Sequence, residues 1–264
     1  MTITDASLIR ASSFWGAIFF FLVLELLAPY RKSSVSKTKR WINNITLTVF
    51  NSVVLELVFA GAVVTTAAYV TTRQWGVLNL VQLPQWAKLF VTVAFMDFML
   101  YIWHLLNHEV PLLWRFHRVH HSDLNMDVST ATRFHLGELS ISAIIKISLV
   151  FLLGASLLGV LIFESVLVLF AQFHHSSLRV PKWFESVFWM LFVPPSMHRI
   201  HHSVILKERN TNYGTIFSTW DRWLGTLLTG VDQNRIRIGI GAYQQPDQLN
   251  FHHLLAMPIT RPVK

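Results

Sequence analysis

"HLLNHEVPLLWRFHRVHHSD", residues 104–123, decides how this chain is read, because its last histidine cluster returns as "HRIHH" at 198–202. His104 and His108 stand at i and i+4, one turn apart on one helix face. His117, His120 and His121 stand at i, i+3 and i+4, and His198, His201 and His202 repeat that pattern. Of 13 histidines none precedes residue 104, so the imidazoles are concentrated rather than scattered. Three helix faces, each offering two or three imidazoles, are suited to converge on a cation. Neutral imidazole brings a lone pair and no charge to bury, and suits iron, zinc, copper or nickel.

The surroundings of these motifs are apolar. The chain of 264 residues is 53% hydrophobic and 14% charged, with mean hydropathy +0.45, whereas soluble domains carry about 25% charged residues. That balance predicts a polytopic membrane protein. Stretches long enough to cross a bilayer, which takes roughly 20 residues, fall at 13–30, 45–71 and 86–106. The first reads as a retained anchor rather than a cleaved signal, since no small-residue cleavage site follows it. A fourth apolar region, 139–173, is interrupted by "LLGASLLG" and suits a helical hairpin of two short arms dipping into the membrane, with Gly154 and Gly159 marking the bend.

The fold expected is therefore all-α: three spans plus a hairpin, with a cytoplasmic histidine-rich cap, in one membrane domain over residues 1–264. Within it, residues 1–92 form the N-terminal membrane helices. Orientation follows from "RKSSVSKTKR" (31–40), which carries five basic residues against Arg73 alone in the 72–85 loop. By the positive-inside rule the 31–40 loop is cytoplasmic, and the histidines then fall on the cytoplasmic side. The surplus charge of +8 lies beside apolar segments, which favours anionic lipid headgroups over nucleic acid. "VPKWFESVFWMLFVPPSMH" (180–198) predicts an interfacial helix ending before Pro194-Pro195.

Asp97, Tyr101, His104 and His108 share one stripe at i, i+4, i+7 and i+11. A carboxylate inside an apolar span is costly, so Asp97 reads either as an acceptor that orients an imidazole or as a helix-packing hydrogen bond. Glu25, Asn51 and Glu56 face the bundle interior with no assigned chemistry. The chain has no cysteine, which excludes thiolate metal sites and disulfides. It contains no Glu-x-x-His, the ligand pair of soluble di-iron bundles, and no His-Glu-x-x-His, the zinc protease motif. If two metals are bound, their ligands are nearly all histidine.

"DFMLYIWHLLNHEVPLLWRFHRVHHSD", "DVSTATRFH", "HHSSLRVP", "MHRIHHS" and "NYGTIFSTWDRWLGTL" resemble the fatty acid hydroxylase superfamily, which includes sterol desaturases, C-4 methyl oxidases and alkylglycerol monooxygenase-like proteins. The likeness runs from 93 to 228, the expected catalytic region. It implies an integral membrane oxidoreductase with two histidine-ligated iron ions. Such an enzyme uses O2 and electrons from a separate donor, of cytochrome b5 or ferredoxin type, to hydroxylate or desaturate a lipid. Sterol, fatty acyl, alkylglycerol and isoprenoid substrates all fit, in a bacterial inner membrane or the endoplasmic reticulum.

Carried over residue by residue, the resemblance makes His104, His108, His117, His120, His121, His198, His201 and His202 ligands. His175 is the middle histidine with His174 as its competitor, and His135 is either a ligand or its support. Asp221 and Arg222 of "WDRW" are read as a pair that orients a ligand or as a structural ion pair. Trp183, Trp189, Trp220 and Trp223 suit an interface belt, Gly214 a turn, and His252 and His253 the surface. Leu105 and Leu136 depart from the family pattern, which has arginine and proline there, without removing a ligand. The rival readings are a metal transporter, which calls for ligands spread through the membrane depth, and a haem electron carrier, which calls for fewer axial histidines.

Overall fold

The computed structural model describes residues 3–260. The elements in chain order are α1 (Ile3–Leu27), α2 (Lys37–Phe59), α3 (Ala62–Arg73), α4 (Val77–Leu80), α5 (Gln85–Glu109), α6 (Pro111–His121), α7 (Leu136–Leu153), α8 (Leu157–His175), α9 (Lys182–Phe188), α10 (Pro195–His201), α11 (Leu206–Arg209), α12 (Thr219–Leu224) and α13 (Phe251–Ala256). Three isolated β-bridges occur, and no strand forms among the described residues.

Five helices, α1, α2, α5, α7 and α8, are long and apolar enough to cross a membrane. Phe19, Leu57, Phe90 and Leu152 lie exposed on them. Such faces suit lipid as solvent, where the helix satisfies its own backbone groups. An apolar core joins α3, α5, α7 and α8 through Ala67, Met96, Val150, Val160 and Phe163.

Two expectations change. The stretch 45–71 is not one helix: α2 begins at Lys37, capped by Ser36, and stops where Ala60 and Gly61 both turn left-handed (φ 43° and 69°). The hairpin arms are also longer than short dips: α7 has 18 residues and α8 has 19, each enough to cross. Gly154 makes the bend at φ +74°, whereas Gly159 lies inside α8, where an added Cβ would sit 3.2 Å from Thr92. A Cβ on Gly154 would sit 2.3 Å from the Trp75 carbonyl. Gly154→Ala is therefore expected to destabilise the fold by about 2 kcal/mol or more, read as a lowered thermal midpoint in detergent.

The predicted interfacial helix also shortens. α9 ends at Phe188, and Pro195, with no backbone N–H to leave unpaired, opens the next helix, α10. Trp183, Val187 and Met190 remain exposed around it. Beyond the spans, Arg40 of α2 holds the segment after α6. It donates to Asp123 through Nε (2.6 Å) and Nη2 (2.7 Å), to Asp127 through Nη1 (2.7 Å), and to the Asn125 carbonyl (2.6 Å). Glu25 of α1 accepts from the backbone N–H of Val128 and Ser177 and from Lys37. A carboxylate near one end of the first span thereby fastens two loops that flank the histidines.

Candidate metal centre

Proline sets the local geometry twice. α5 ends at Glu109 and Pro111 restarts the chain as α6 one residue after Val110, so the two helices meet at a sharp corner with their histidines facing. Pro195 starts α10 in the same way, with His202 at its C-cap. The end of α8 adds His174 and His175.

The nine imidazoles fall into two groups. His104, His108, His117, His121 and His201 each offer a nitrogen within 4.8 Å of the others; His120, His175, His198 and His202 do the same. The doubled motif explains the division. In "HRVHH" the i,i+4 pair His117 and His121 enters the first group and His120 crosses to the second. In "HRIHH" the pair His198 and His202 enters the second group and His201 crosses to the first. The two His-His doublets thus form the shared wall, with the His121 and His202 rings stacked at 4.4 Å.

Hydrogen bonds fix which nitrogen is available. The Nδ1 atoms of His104, His175 and His201 face the carbonyls of Tyr213 (2.7 Å), Ala171 (2.6 Å) and Thr211 (2.8 Å). That of His120 faces the Arg133 carbonyl (3.3 Å), and that of His117 faces Glu138 Oε1 (2.8 Å). A carbonyl only accepts, so Nδ1 carries the proton and Nε2 presents its lone pair. His120 Nε2 and His175 Nε2 then stand 3.0 Å apart with lone pairs opposed. His175 and His198 are 2.9 Å apart at Nε2, His198 and His202 3.1 Å, and His117 and His121 3.2 Å. Neighbouring nitrogens bonded at about 2.1 Å to one metal at right angles are separated by about 3.0 Å. His104 Nε2, His201 Nε2 and both nitrogens of His108 are buried with no hydrogen-bond partner. Each such group costs about 1–3 kcal/mol unless something binds it. The donor set therefore fits a pair of cations.

Burial also keeps five of the rings neutral. For His120, His121, His198, His201 and His202, burial first and neighbouring imidazoles second push the pKa well below the ordinary value. Neutral rings are the form that ligates.

The other candidates take different places. His174 belongs to neither group; its ring lies 4.0 Å from that of His198 and its Nδ1 has no partner. His135 caps α7, accepting from Gly137 N–H at Nδ1 (2.9 Å) and contacting the Leu255 carbonyl through Nε2 (3.1 Å), apart from both groups. Asp97 orients no imidazole directly. It accepts from Ile216 N–H, Phe217 N–H and Trp220 Nε1, because its turn of α5 faces the 213–226 segment rather than the histidines. Tyr101 bonds Thr226 one turn later (2.7 Å). Asp221 is not paired with Arg222, which donates to the Trp189 and Met190 carbonyls. Asp221 accepts from Tyr213 and Gly214 N–H (2.8 Å each), and the Tyr213 carbonyl in turn holds His104. Burial pushes the Asp221 carboxyl up to about 6 against those hydrogen bonds.

Glu138 escaped sequence reasoning. Its signal was a carboxylate in the first turn of an otherwise apolar helix, where anions are favoured. Oε1 takes His117, while Oε2 is buried without a partner. Orienting carboxylates of this kind tune metal affinity by about 10–100-fold. Glu138→Ala is expected to weaken metal retention by that factor in a chelator titration.

A cavity of about 330 Å³ opens beside the histidines, reached by His117, His120, His175 and His198. Leu55, Leu100, Leu139, Leu167 and Val168 form much of its wall, and Glu138 lines it. A buried imidazole cluster beside an apolar cavity, carried by membrane-type helices, is a site that fits metal ions next to a space that fits a hydrophobic molecule.

The family model described as fatty acid hydroxylase matches residues 89–226. Ornithine lipid hydroxylase OlsE of Rhizobium tropici is 30% identical over 242 residues, covering 85% of this chain and 69% of that protein. Human cholesterol 25-hydroxylase is 31% identical over 143 residues, covering 50% and 48%. Alkylglycerol monooxygenase of Caenorhabditis elegans is 30% identical over 170 residues, covering 64% and 32%. The chain thus spans about half or less of the length of the latter two. No solved structure matches significantly. The chain belongs to the fatty acid hydroxylase family. It is an oxidoreductase and an integral membrane protein.

Proposed function

We propose that the protein is a di-iron lipid oxygenase whose two irons are held by His104, His108, His117, His121 and His201, and by His120, His175, His198 and His202. The observation that carries this reading is the pair of opposed Nε2 lone pairs of His120 and His175, with the unpartnered Nε2 atoms of His104 and His201, beside an apolar cavity. Bound iron would supply O2 activation and oxidation of an unactivated C–H bond, on electrons from a separate donor.

The chain's own residues do the rest. The carbonyls of Tyr213, Ala171, Thr211 and Arg133, with Glu138, keep the rings in the ligating tautomer. The leucine and valine walls align a lipid chain and exclude water. Glu138 Oε2, in the cavity wall beside His117, is placed to accept a hydrogen bond from a polar group of the substrate. The basic 31–40 loop supports a site on the cytoplasmic side.

The test is an assay of the purified protein with a bacterial lipid extract, a reductant-coupled donor and ¹⁸O2. The reading predicts lipid products that carry one labelled oxygen or have lost two hydrogens. Neither change in any lipid, with iron bound, would overturn it.

A further inference from the structure

Three charges meet between α1, α7 and α8. Glu164 of α8 bonds Arg10 Nε of α1 at 2.7 Å and Lys146 Nζ of α7 at 2.9 Å, and its side chain is 8% exposed. The same α1–α8 seam carries Ser13 against Ser165 and Gln172 Nε2 donating to the Phe14 carbonyl. A buried carboxylate is costly unless it is paired; the two cations that pair it are less buried, with the Arg10 side chain 36% and that of Lys146 26% exposed. One carboxylate between two cations also leaves one positive charge in excess. Glu164 is the one carboxylate in contact with either cation among the described residues.

The surplus lies on a wall of the histidine cavity, which Lys146 lines together with Ser142 and Gln172. A lysine ammonium has three donor hydrogens, and Glu164 accounts for one. Arg10 and Glu164 join α1 to α8, and Lys146 and Glu164 join α7 to α8; of the two cations, Lys146 is the one that lines the cavity.

We propose that Lys146 is a specificity-determining residue that receives an anionic oxygen, a carboxylate or phosphate, carried on the long apolar chain of the substrate. This rests on reading the cavity as the substrate site of a lipid oxygenase. Lys146 lies eight residues along α7 from Glu138, and Glu164 lies eleven along α8 from His175. At 1.5 Å per residue that separates the cation from the imidazoles by roughly 12–16 Å. The oxidised carbon is therefore remote from the anionic group rather than adjacent to it.

The test uses the iron-loaded full chain in phosphatidylcholine nanodiscs at pH 8, without O2 or reductant. Retention of palmitate, hexadecyl phosphate and methyl palmitate is measured for the wild type, Lys146→Met and Lys146→Gln. The wild type is expected to prefer at least one of the two anions over the neutral ester by about tenfold or more, the scale of a charge-assisted hydrogen bond. Which anion it is names the headgroup chemistry. Both variants are expected to bring the ratio to about one with iron content unchanged, and Lys146→Gln carries the test if Lys146→Met does not fold. A wild-type ratio near one for both anions, or a preference that survives the substitutions, would overturn the proposal. A chain that binds no iron yet shows the Lys146-dependent preference would contradict the oxygenase reading while supporting this one.

Discussion

Replacing His201 with alanine is expected to weaken retention of the iron held by the five-histidine group about 100-fold in a chelator titration, and to lower lipid oxidation by a similar factor. His201 belongs to "HRIHH", yet it joins the group built from α5 and α6, so one substitution opens the wall between the two groups. Its Nε2 is buried with no other partner and its Nδ1 is held by the Thr211 carbonyl. No neighbouring side chain is placed to substitute for it, and alanine leaves a gap among buried lone pairs. His252→Ala, at an exposed residue outside both groups, is the matched control and should keep both irons. Metal analysis of the two purified variants decides the point. Equal retention of both irons against the chelator in the two variants would remove His201 from the site.

The second large effect concerns Arg40. Its guanidinium is 8% exposed and bridges Asp123 and Asp127, two and six residues after His121. Burial alone would raise the Asp123 carboxyl, but Arg40 beside it, helped by Arg133 and the Thr130 hydroxyl, outweighs burial and holds it well below the usual carboxylate range. Arg40→Leu strands two buried carboxylates. Breaking a buried pair from one side costs about 3–5 kcal/mol, which for a chain of this size lowers the thermal midpoint by roughly 10 °C. Because the same segment follows α6, iron retention should fall as well. Arg40→Lys, which keeps the charge and loses the forked geometry, should fall between. A thermal midpoint for Arg40→Leu equal to that of the wild type would show that the bridge does not hold this segment.

The histidine constellation was legible because spacing is local information: i, i+3 and i+4 share a helix face whatever the tertiary fold. The membrane class and the bend at Gly154 were legible for similar reasons of length and glycine chemistry. How "HRVHH" and "HRIHH" exchange their middle members, His120 and His201, depends on how α6 and α10 face each other, which no single segment encodes. The break after Phe59 was hidden because Ala60, a good helix former, adopts the left-handed turn together with Gly61. Which of the two readings of Asp97 holds was not legible, since the stripe it shares with His104 gives a face, not a partner; the structure gives it packing hydrogen bonds. Its partners come from 216–220, more than a hundred residues later. Glu138 and Lys146 were passed over because they are the two charges of one helix, α7, whose length and apolarity spoke only of membrane.

The proposed centre is a pair of adjacent metals beside the cavity, held by side chains that are all imidazoles. Its most direct measurement is iron content and X-ray absorption of protein purified and reconstituted without oxygen. The account predicts two irons per chain with a shell of nitrogen and oxygen ligands and a second iron within detectable distance. Less than one iron per chain after reconstitution, or a single iron with no neighbour, would contradict it.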